Sequence, residues 1–250
     1  MIFEEIIYSV RQYPRAWKFI KAQGLWWIFV IPFFLAILLF LLFVWGGNEM
    51  VDNMWLFLAA YFPDKASSGF MKFLEGLFHI VVKLLLLLFY LKINRYFLLI
   101  LLSPFFSYVS EVVQSRITGK KKKNSLKIVF SDAIRGVRIA GRNLFLELSF
   151  SLLIFVASFI FPFGFPIYSI LLLGVESYFW GFSMLDLRNE FHSVPVKDSL
   201  EEVKKHPGLA IGNGLPMILG LLVPVLGITF MPMLALVAGA YSANDRFLFR

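Results

Sequence analysis

The polar residues of one apolar segment are the first candidates for chemistry, because ionisable side chains inside membrane helices usually serve a function. At 100° per residue, His79, Lys83, Tyr90 and Asn94 fall within about 40° of one line along a helix. An ammonium group near the centre of such a segment costs roughly 2.5–3.5 kcal/mol to insert. One interpretation of this stripe is that it lines a hydrated path through the membrane. Alternatively, Lys83 and Lys92, which lie on opposite faces, extend their aliphatic stems to the two membrane interfaces.

Metal, nucleotide and catalytic sites are not indicated by the sequence. The chain has no cysteine, and its three histidines, His79, His192 and His206, have no second ligand at metal-binding spacing. The segment GNGLP at 212–216 lacks the Lys-Ser/Thr pair of a phosphate loop, and we expect it to break a helix. We therefore expect no metal, no cofactor and no catalytic residue, so that the protein is not an enzyme.

The composition indicates a membrane protein. Of the 250 residues, 59% are hydrophobic and 16% are charged, whereas soluble domains have about 45–50% apolar and 25% charged residues. The mean hydropathy is +0.77. The net charge of +8 would suggest nucleic acid as the partner of a soluble protein. Here it indicates loops that face anionic membrane lipid, so we expect a lipid partner and no nucleic acid.

Two long apolar segments predict transmembrane helices at about 25–45 and 78–102. Leu25 to Val44 is uncharged over 20 residues, which is the helical length that about 30 Å of hydrocarbon requires. We expect Gly46-Gly47-Asn48 to end the first helix, and a short interfacial helix at 54–62 to precede the second. Residues 1–23 have apolar side chains at helical spacing, which predicts an amphipathic helix on the membrane surface.

The remaining apolar blocks predict two helical hairpins, at about 144–185 and 209–244. The first block is broken by Pro162-Phe163-Gly164-Phe165-Pro166, and the second by Pro224, Gly227 and Pro232. Their uncharged arms have about 12–15 residues, which gives roughly 18–23 Å of helix and falls short of a full crossing. We expect both hairpins to enter the membrane only partly, with a charged surface helix at 186–206 between them. The fold class is thus an all-α integral membrane protein, with residues 1–250 as one membrane domain.

The charge distribution predicts the topology. Segment 103–143 has nine Lys or Arg against two acidic residues, whereas segment 46–78 has two against four. Because basic loops remain in the cytoplasm, we expect a multi-pass protein of the bacterial inner membrane with the tetralysine segment at 120–123 inside the cell.

Several short motifs resemble the CysZ-type sulfate permeases, in the etoposide-induced membrane protein superfamily. The best stretch is SPFFSYVSEVVQSRITG, and the motif residues with their supporting segments are Pro104-Phe105, Glu111, Arg116-x-Thr118-Gly119, Ala16-Trp17-Lys18, Gly24-Leu25, Val194-Pro195 and Met231-Pro232. The resemblance implies two long transmembrane helices with two partly inserted hairpins. It also implies homo-oligomers that admit sulfate without a nucleotide-hydrolysing domain.

The resemblance implies an anion site at Gly24 and Leu25, whose backbone amides can face an anion at a helix N-terminus. The sulfate permeases follow this pair with two basic residues, but this chain has Trp26 and Trp27. Together with the polar stripe, the expected anion-binding or pathway residues are Gly24, Leu25, Lys83, Tyr90 and Asn94. The expected function is a permease for a small inorganic anion, sulfate by resemblance. The alternative is a non-transporting protein that shapes the membrane with its hairpins.

Overall fold

Helices make up nearly all of the chain in a computed structural model, which describes residues 2–61, 69–120, 126–160, 164–221, 223 and 226–247. The ten α-helices of this part are α1 (Ile2–Val10), α2 (Gln12–Ala22), α3 (Val30–Ala59), α4 (Gly69–Leu101), α5 (Ser103–Thr118), α6 (Leu126–Ile160), α7 (Phe165–Phe191), α8 (Val196–Lys205), α9 (Pro207–Gly220) and α10 (Leu226–Arg246). A short 3-10 helix, Trp26–Phe29, leads into α3. The described part contains no strand, so the all-α prediction is confirmed.

Four helices are long and apolar enough to cross a membrane, at Trp26–Ala59, Gly69–Leu91, Ile134–Ile160 and Pro166–Phe191. The prediction of an all-α membrane protein is therefore confirmed. The third and fourth lie in the first hairpin, and they are longer than its uncharged arms because charged residues continue both helices. By contrast, the 14 residues of α9 give only about 21 Å of helix, which is short of a crossing.

The first long helix does not end where the sequence predicted. Gly46-Gly47-Asn48 lies inside α3, which continues to Ala59, and α4 begins at Gly69 instead of Phe78. The predicted break at 46–48 is wrong, and residues 54–59 belong to α3 and not to a separate interfacial helix. A backbone break in lipid leaves unpaired polar groups that cost several kcal/mol, whereas two glycines cost a helix only about 1 kcal/mol each. The residues at 62–68, 121–125, 161–163, 222 and 224–225 lie outside the described part.

The chain divides into two compact units, one of residues 1–33 and 98–250 and the other of residues 34–97. The first unit contains α1, α2 and all helices from α5 onward. The second contains most of α3 and α4.

The N-terminal segment forms two helices, and some of their polar side chains contact the rest of the first unit. Ser9 is fully buried and lies 3.2 Å from the Ser242 hydroxyl, and the Tyr13 hydroxyl donates to the carbonyl of Asn213. The apolar side chains Ile2 and Phe3 are instead exposed. The apolar side chains at the start of α1 thus face outward, as expected of a helix beside lipid, whereas Ala16 and Ile20 of α2 are fully buried.

Glycines bring α9 very close to the backbones of α1 and α7. A Cβ at Gly212 would lie 2.4 Å from the Ile6 carbonyl oxygen, and one at Gly214 would lie 1.9 Å from the Ser177 carbonyl oxygen. Small residues allow such contact between membrane helices, which associate by close packing. The prediction that GNGLP breaks a helix is wrong, because these residues lie within α9 and form its contacts.

Replacing Gly214 by alanine should destabilise the first unit, because the added methyl group cannot fit against α7. Overpacking of this kind costs about 1–3 kcal/mol, so we expect a clearly lower midpoint of thermal unfolding for Gly214→Ala in detergent. Gly174→Ala on α7 is the control, since nothing lies within 4 Å of its added Cβ. Equal midpoints for the two variants would show that α9 and α7 are not in close contact.

Candidate functional site

Lys83 lines a cleft of about 270 Å³ between α3 and α4. The other lining residues are mostly apolar, and they are Phe40, Phe43, Val44, Gly47, Asn48, Leu86 and Leu87. Lys83 is the charged side chain among them, and Asn48 adds an amide. The cleft lies entirely within the second unit.

The predicted polar stripe on α4 faces α3. The His79 ring lies 3.1 Å from the Asp52 carboxylate, measured from Nε2, and its Nδ1 lies 2.8 Å from the Glu75 carbonyl oxygen. The Tyr90 ring stacks on Phe43 with 4.3 Å between ring centroids. Three positions of the stripe therefore contact residues of α3 or share a cleft with them. Asn94 is buried, with 4% of its surface exposed, and the side chain of Lys92 lies outside the described part.

This arrangement suits a small anion. A unit charge 4 Å from the Lys83 ammonium gains about 4 kcal/mol at an effective dielectric constant of 20. The apolar walls exclude competing hydrogen-bond acceptors, and the Asn48 amide supplies two N–H donors. The cleft therefore offers charge compensation without the strong binding that a cage of several cations would give.

The Gly24-Leu25 pair forms the turn that ends α2. Gly24 has φ +63°, and its N–H donates to the Lys21 carbonyl at 3.3 Å while the Leu25 N–H donates to the Ile20 carbonyl at 3.0 Å. This pair of bonds is the Schellman motif of a helix C-terminus. Both amides are thus used within the turn, which differs from the expectation that they face an anion. The Leu25 side chain is fully buried.

Arg116 of the SPFFSYVSEVVQSRITG stretch holds the same turn from α5. Its Nη1 donates to the Gln23 carbonyl at 2.7 Å and to the Gln23 side-chain oxygen at 3.2 Å. Two segments that carry the resemblance therefore meet in the first unit. Gly24 and Leu25 lie in that unit, whereas Lys83, Tyr90 and Asn94 lie in the other.

A buried polar network in the first unit joins five helices and was not predicted from the sequence. Arg135 of α6 forms an ion pair with Asp186 of α7 at 2.8 Å, and the Ser199 hydroxyl of α8 donates to the same carboxylate. The Asn189 amide donates to the Ser199 hydroxyl at 2.9 Å, and Arg188 Nη1 donates to the Asn189 side-chain oxygen at 2.9 Å.

The network continues to α10 and α5. Arg188 Nε donates to the Asn244 side-chain oxygen at 3.1 Å, and the Asn244 amide donates to the Gln114 side-chain oxygen at 2.7 Å. The Arg188 side chain is 1% exposed, and so the network holds the end of the helix bundle together. The one sequence signal was the Asp-then-Arg pattern that closes each hairpin, at Asp186 and Arg188 and again at Asp245 and Arg246.

The Arg135–Asp186 pair should matter for stability mainly because the loss of either partner leaves the other charge buried and unpaired. Removing one partner of a buried pair costs about 3–5 kcal/mol. We expect Arg135→Met to lower the thermal midpoint strongly, and Asp186→Asn combined with Arg135→Met to lower it less. Thermal unfolding of both single variants and the double variant measures this coupling. Simple additivity of the three midpoint shifts would contradict the pairing.

His192, which follows α7, gives a pH dependence that can be measured. Burial lowers the pKa of His192 to about 4, with further lowering by Arg188 and Lys120. Because the folded protein disfavours the charged ring, the stability from this residue is complete above pH 6.5 and is lost as the pH falls toward 4. We expect the thermal midpoint to fall between pH 7 and pH 5, and to fall less in His192→Gln. Parallel curves for the two proteins would contradict this assignment.

Comparison with known proteins supports the family resemblance that the motifs indicate. No curated protein matches the chain. A family model described as Sulfate transporter CysZ/Etoposide-induced protein 2.4 matches residues 13–232, which include the turn at Gly24, the α3–α4 cleft and the Arg116 stretch. This match confirms the resemblance and a sulfate-transporter-like membrane family. Since it covers most of the chain, the protein belongs to the Sulfate transporter CysZ/Etoposide-induced protein 2.4 family.

Proposed function

We propose that this protein lets a small inorganic anion cross the membrane, with sulfate as the substrate that the family favours. The observation that carries the proposal is the position of Lys83, whose charge lines an apolar cleft between two helices long enough to span a membrane. Inserting a lysine at that depth costs free energy unless water or an anion compensates its charge. A path for hydrated anions supplies both water and anions to Lys83.

The proposed mechanism is passage down a gradient. An anion that enters the cleft loses part of its hydration, and the Lys83 ammonium and the Asn48 amide replace that loss. Tyr90 follows Lys83 along the stripe. Its ring is stacked on Phe43 and sets the spacing between α3 and α4 at that point. A single cation gives weak binding, so the anion can leave on the far side, as conduction requires.

The surroundings of the cleft favour association of several copies. No residue in the most apolar window of Gly69–Leu91 is buried within the chain, so the cleft between α3 and α4 is open to lipid or to another protein. Lipid cannot hydrate an anion, whereas a second copy can close the cleft into a water-filled path. We therefore propose a homo-oligomer in the bacterial inner membrane, with the basic segment that precedes the candidate span Ile134–Ile160 in the cytoplasm.

A membrane-shaping function is the second candidate. The short helix α9 and the outward apolar side chains of α1 suit a wedge in one leaflet of the bilayer. In that case Lys83 serves as an interfacial anchor and the protein conducts no anion.

Replacing Lys83 separates the two functions. Lys83→Met keeps the length of the side chain and favours insertion, so a loss of flux cannot come from poor membrane assembly. Each 1.4 kcal/mol of lost stabilisation slows passage tenfold, and we expect at least a tenfold lower rate of radiolabelled sulfate uptake into proteoliposomes.

Two matched variants control this experiment. Lys83→Arg keeps the charge and should keep most of the flux, while Lys72→Met removes an exposed lysine of the same helix outside the cleft and should change nothing. Full sulfate uptake by Lys83→Met would contradict conduction through the cleft and would show that the polar stripe only anchors α4 at the membrane interface. If the parent protein carries neither sulfate nor chloride, the membrane-shaping function replaces conduction.

A further inference from the structure

An exposed patch of aromatic and basic side chains surrounds the turn at Gly24. We call it the aromatic–basic patch, and its members are Trp17, Lys21, Trp26, Trp27, Tyr108 and Arg116. The three tryptophans expose 40%, 46% and 37% of their surface. Large aromatic side chains remain this exposed where they contact membrane headgroups.

The aromatic rings of the patch are ordered against one another. Trp17 and Trp26 meet edge to face with 5.2 Å between ring centroids. Trp27 lies 6.1 Å from Phe105 and 5.8 Å from Tyr108. These contacts link the 3-10 helix Trp26–Phe29 to α2 through Trp26 and to α5 through Trp27, all within the first unit.

Arg116 places an open guanidinium edge at the turn that connects Trp17 to Trp26 in the chain. Its Nη1 is used on Gln23, and its Nε and Nη2 have no hydrogen-bond partner among the residues that the structure describes. A guanidinium edge of two N–H groups matches two oxygens of a phosphate. Lys21 lies one helical turn after Trp17 on α2 and adds a second positive charge on that side.

The depth and the charge of the patch match a phospholipid headgroup. The candidate span formed by the 3-10 helix and α3 begins at Trp26, so the patch lies at the level where headgroups meet the acyl chains. Lys18 and Lys120 are also exposed nearby in the chain, and the acidic residue of α5, Glu111, is partly buried. The surplus of positive charge favours an anionic lipid over a zwitterionic one.

We propose that the aromatic–basic patch binds the phosphate of an anionic phospholipid, with Arg116 as the main contact, Lys21 as the second and Trp26 and Trp27 against the glycerol and upper acyl chains. This site lies where the sulfate permeases have a basic pair after Gly-Leu. The tryptophans make the surface amphipathic, which suits a lipid and not a free oxyanion. The proposal is independent of anion conduction through the cleft.

Native mass spectrometry of the purified protein tests this site. We expect phosphatidylglycerol to stay bound at collision energies that remove phosphatidylcholine. Arg116→Gln and Lys21→Gln should each weaken retention about fivefold, which corresponds to about 1 kcal/mol per lost surface charge. Lys21→Gln leaves the Arg116–Gln23 contact intact, so it keeps the test valid if Arg116→Gln unfolds the turn.

Three comparisons complete the test. Arg138→Gln removes an exposed arginine of α6 outside the patch and should retain phosphatidylglycerol like the parent. Trp27→Leu should lower retention without any change of charge. Equal retention of the two lipids, or an equal loss in Arg138→Gln, would overturn the proposal. Displacement of the lipid by inorganic sulfate would also overturn it, since the patch would then be a site for a free anion.

Discussion

The close contact of α9 with α1 and α7 is the constraint on which the first unit depends. A helix of 14 residues cannot cross the membrane alone, so its backbone must be covered by protein on both sides. Gly212 and Gly214 allow this, and Glu5 of α1 completes it by accepting hydrogen bonds from His206 at 2.7 Å and from the Gly208 N–H at 3.1 Å. Because α1 is held there, α2 and the Gly24 turn that follows are also fixed. The position of the first residues of α3 therefore follows from the packing of a distant hairpin.

A buried network of polar side chains also holds the first unit together at its polar end. Arg188 and Asp186 are buried, and charges in that environment are stable only when their hydrogen-bonding groups are satisfied. The network supplies partners from α5, α6, α8 and α10, which ties the surface helix to both hairpins. The cleft at Lys83 has the opposite character, since one charge faces apolar walls with few polar partners. The charges of the network therefore serve the structure, whereas the charge of Lys83 is available to an anion.

Hydrophobicity and helical period were sufficient to predict an all-α membrane protein and the stripe on α4, whereas the family was indicated by short motifs that the family match then confirmed. Hydrophobicity and helical period failed at glycines, because the sequence does not state whether a glycine ends a helix or lets two helices touch. Gly46-Gly47 continues α3, and Gly212 and Gly214 lie within α9. The length of the arms of the first hairpin was also underestimated. Only uncharged residues were counted, but both helices continue through charged residues at their ends. The polar network joins residues up to 130 positions apart, and no local pattern contains such pairings.

The central claim is that the α3–α4 cleft is accessible to water and to anions. The natural absence of cysteine allows one cysteine to be placed at Leu87, which lines the cleft, or at Leu85, which is exposed on α4 outside it. The most direct measurement is the rate at which a membrane-impermeant anionic thiosulfonate modifies each variant in proteoliposomes, with and without sulfate. We expect rapid modification of Leu87→Cys, slowed by sulfate and by Lys83→Met, and little modification of Leu85→Cys. If Leu87→Cys reacts only with a lipid-soluble maleimide, the cleft faces hydrocarbon and the protein does not conduct anions through it.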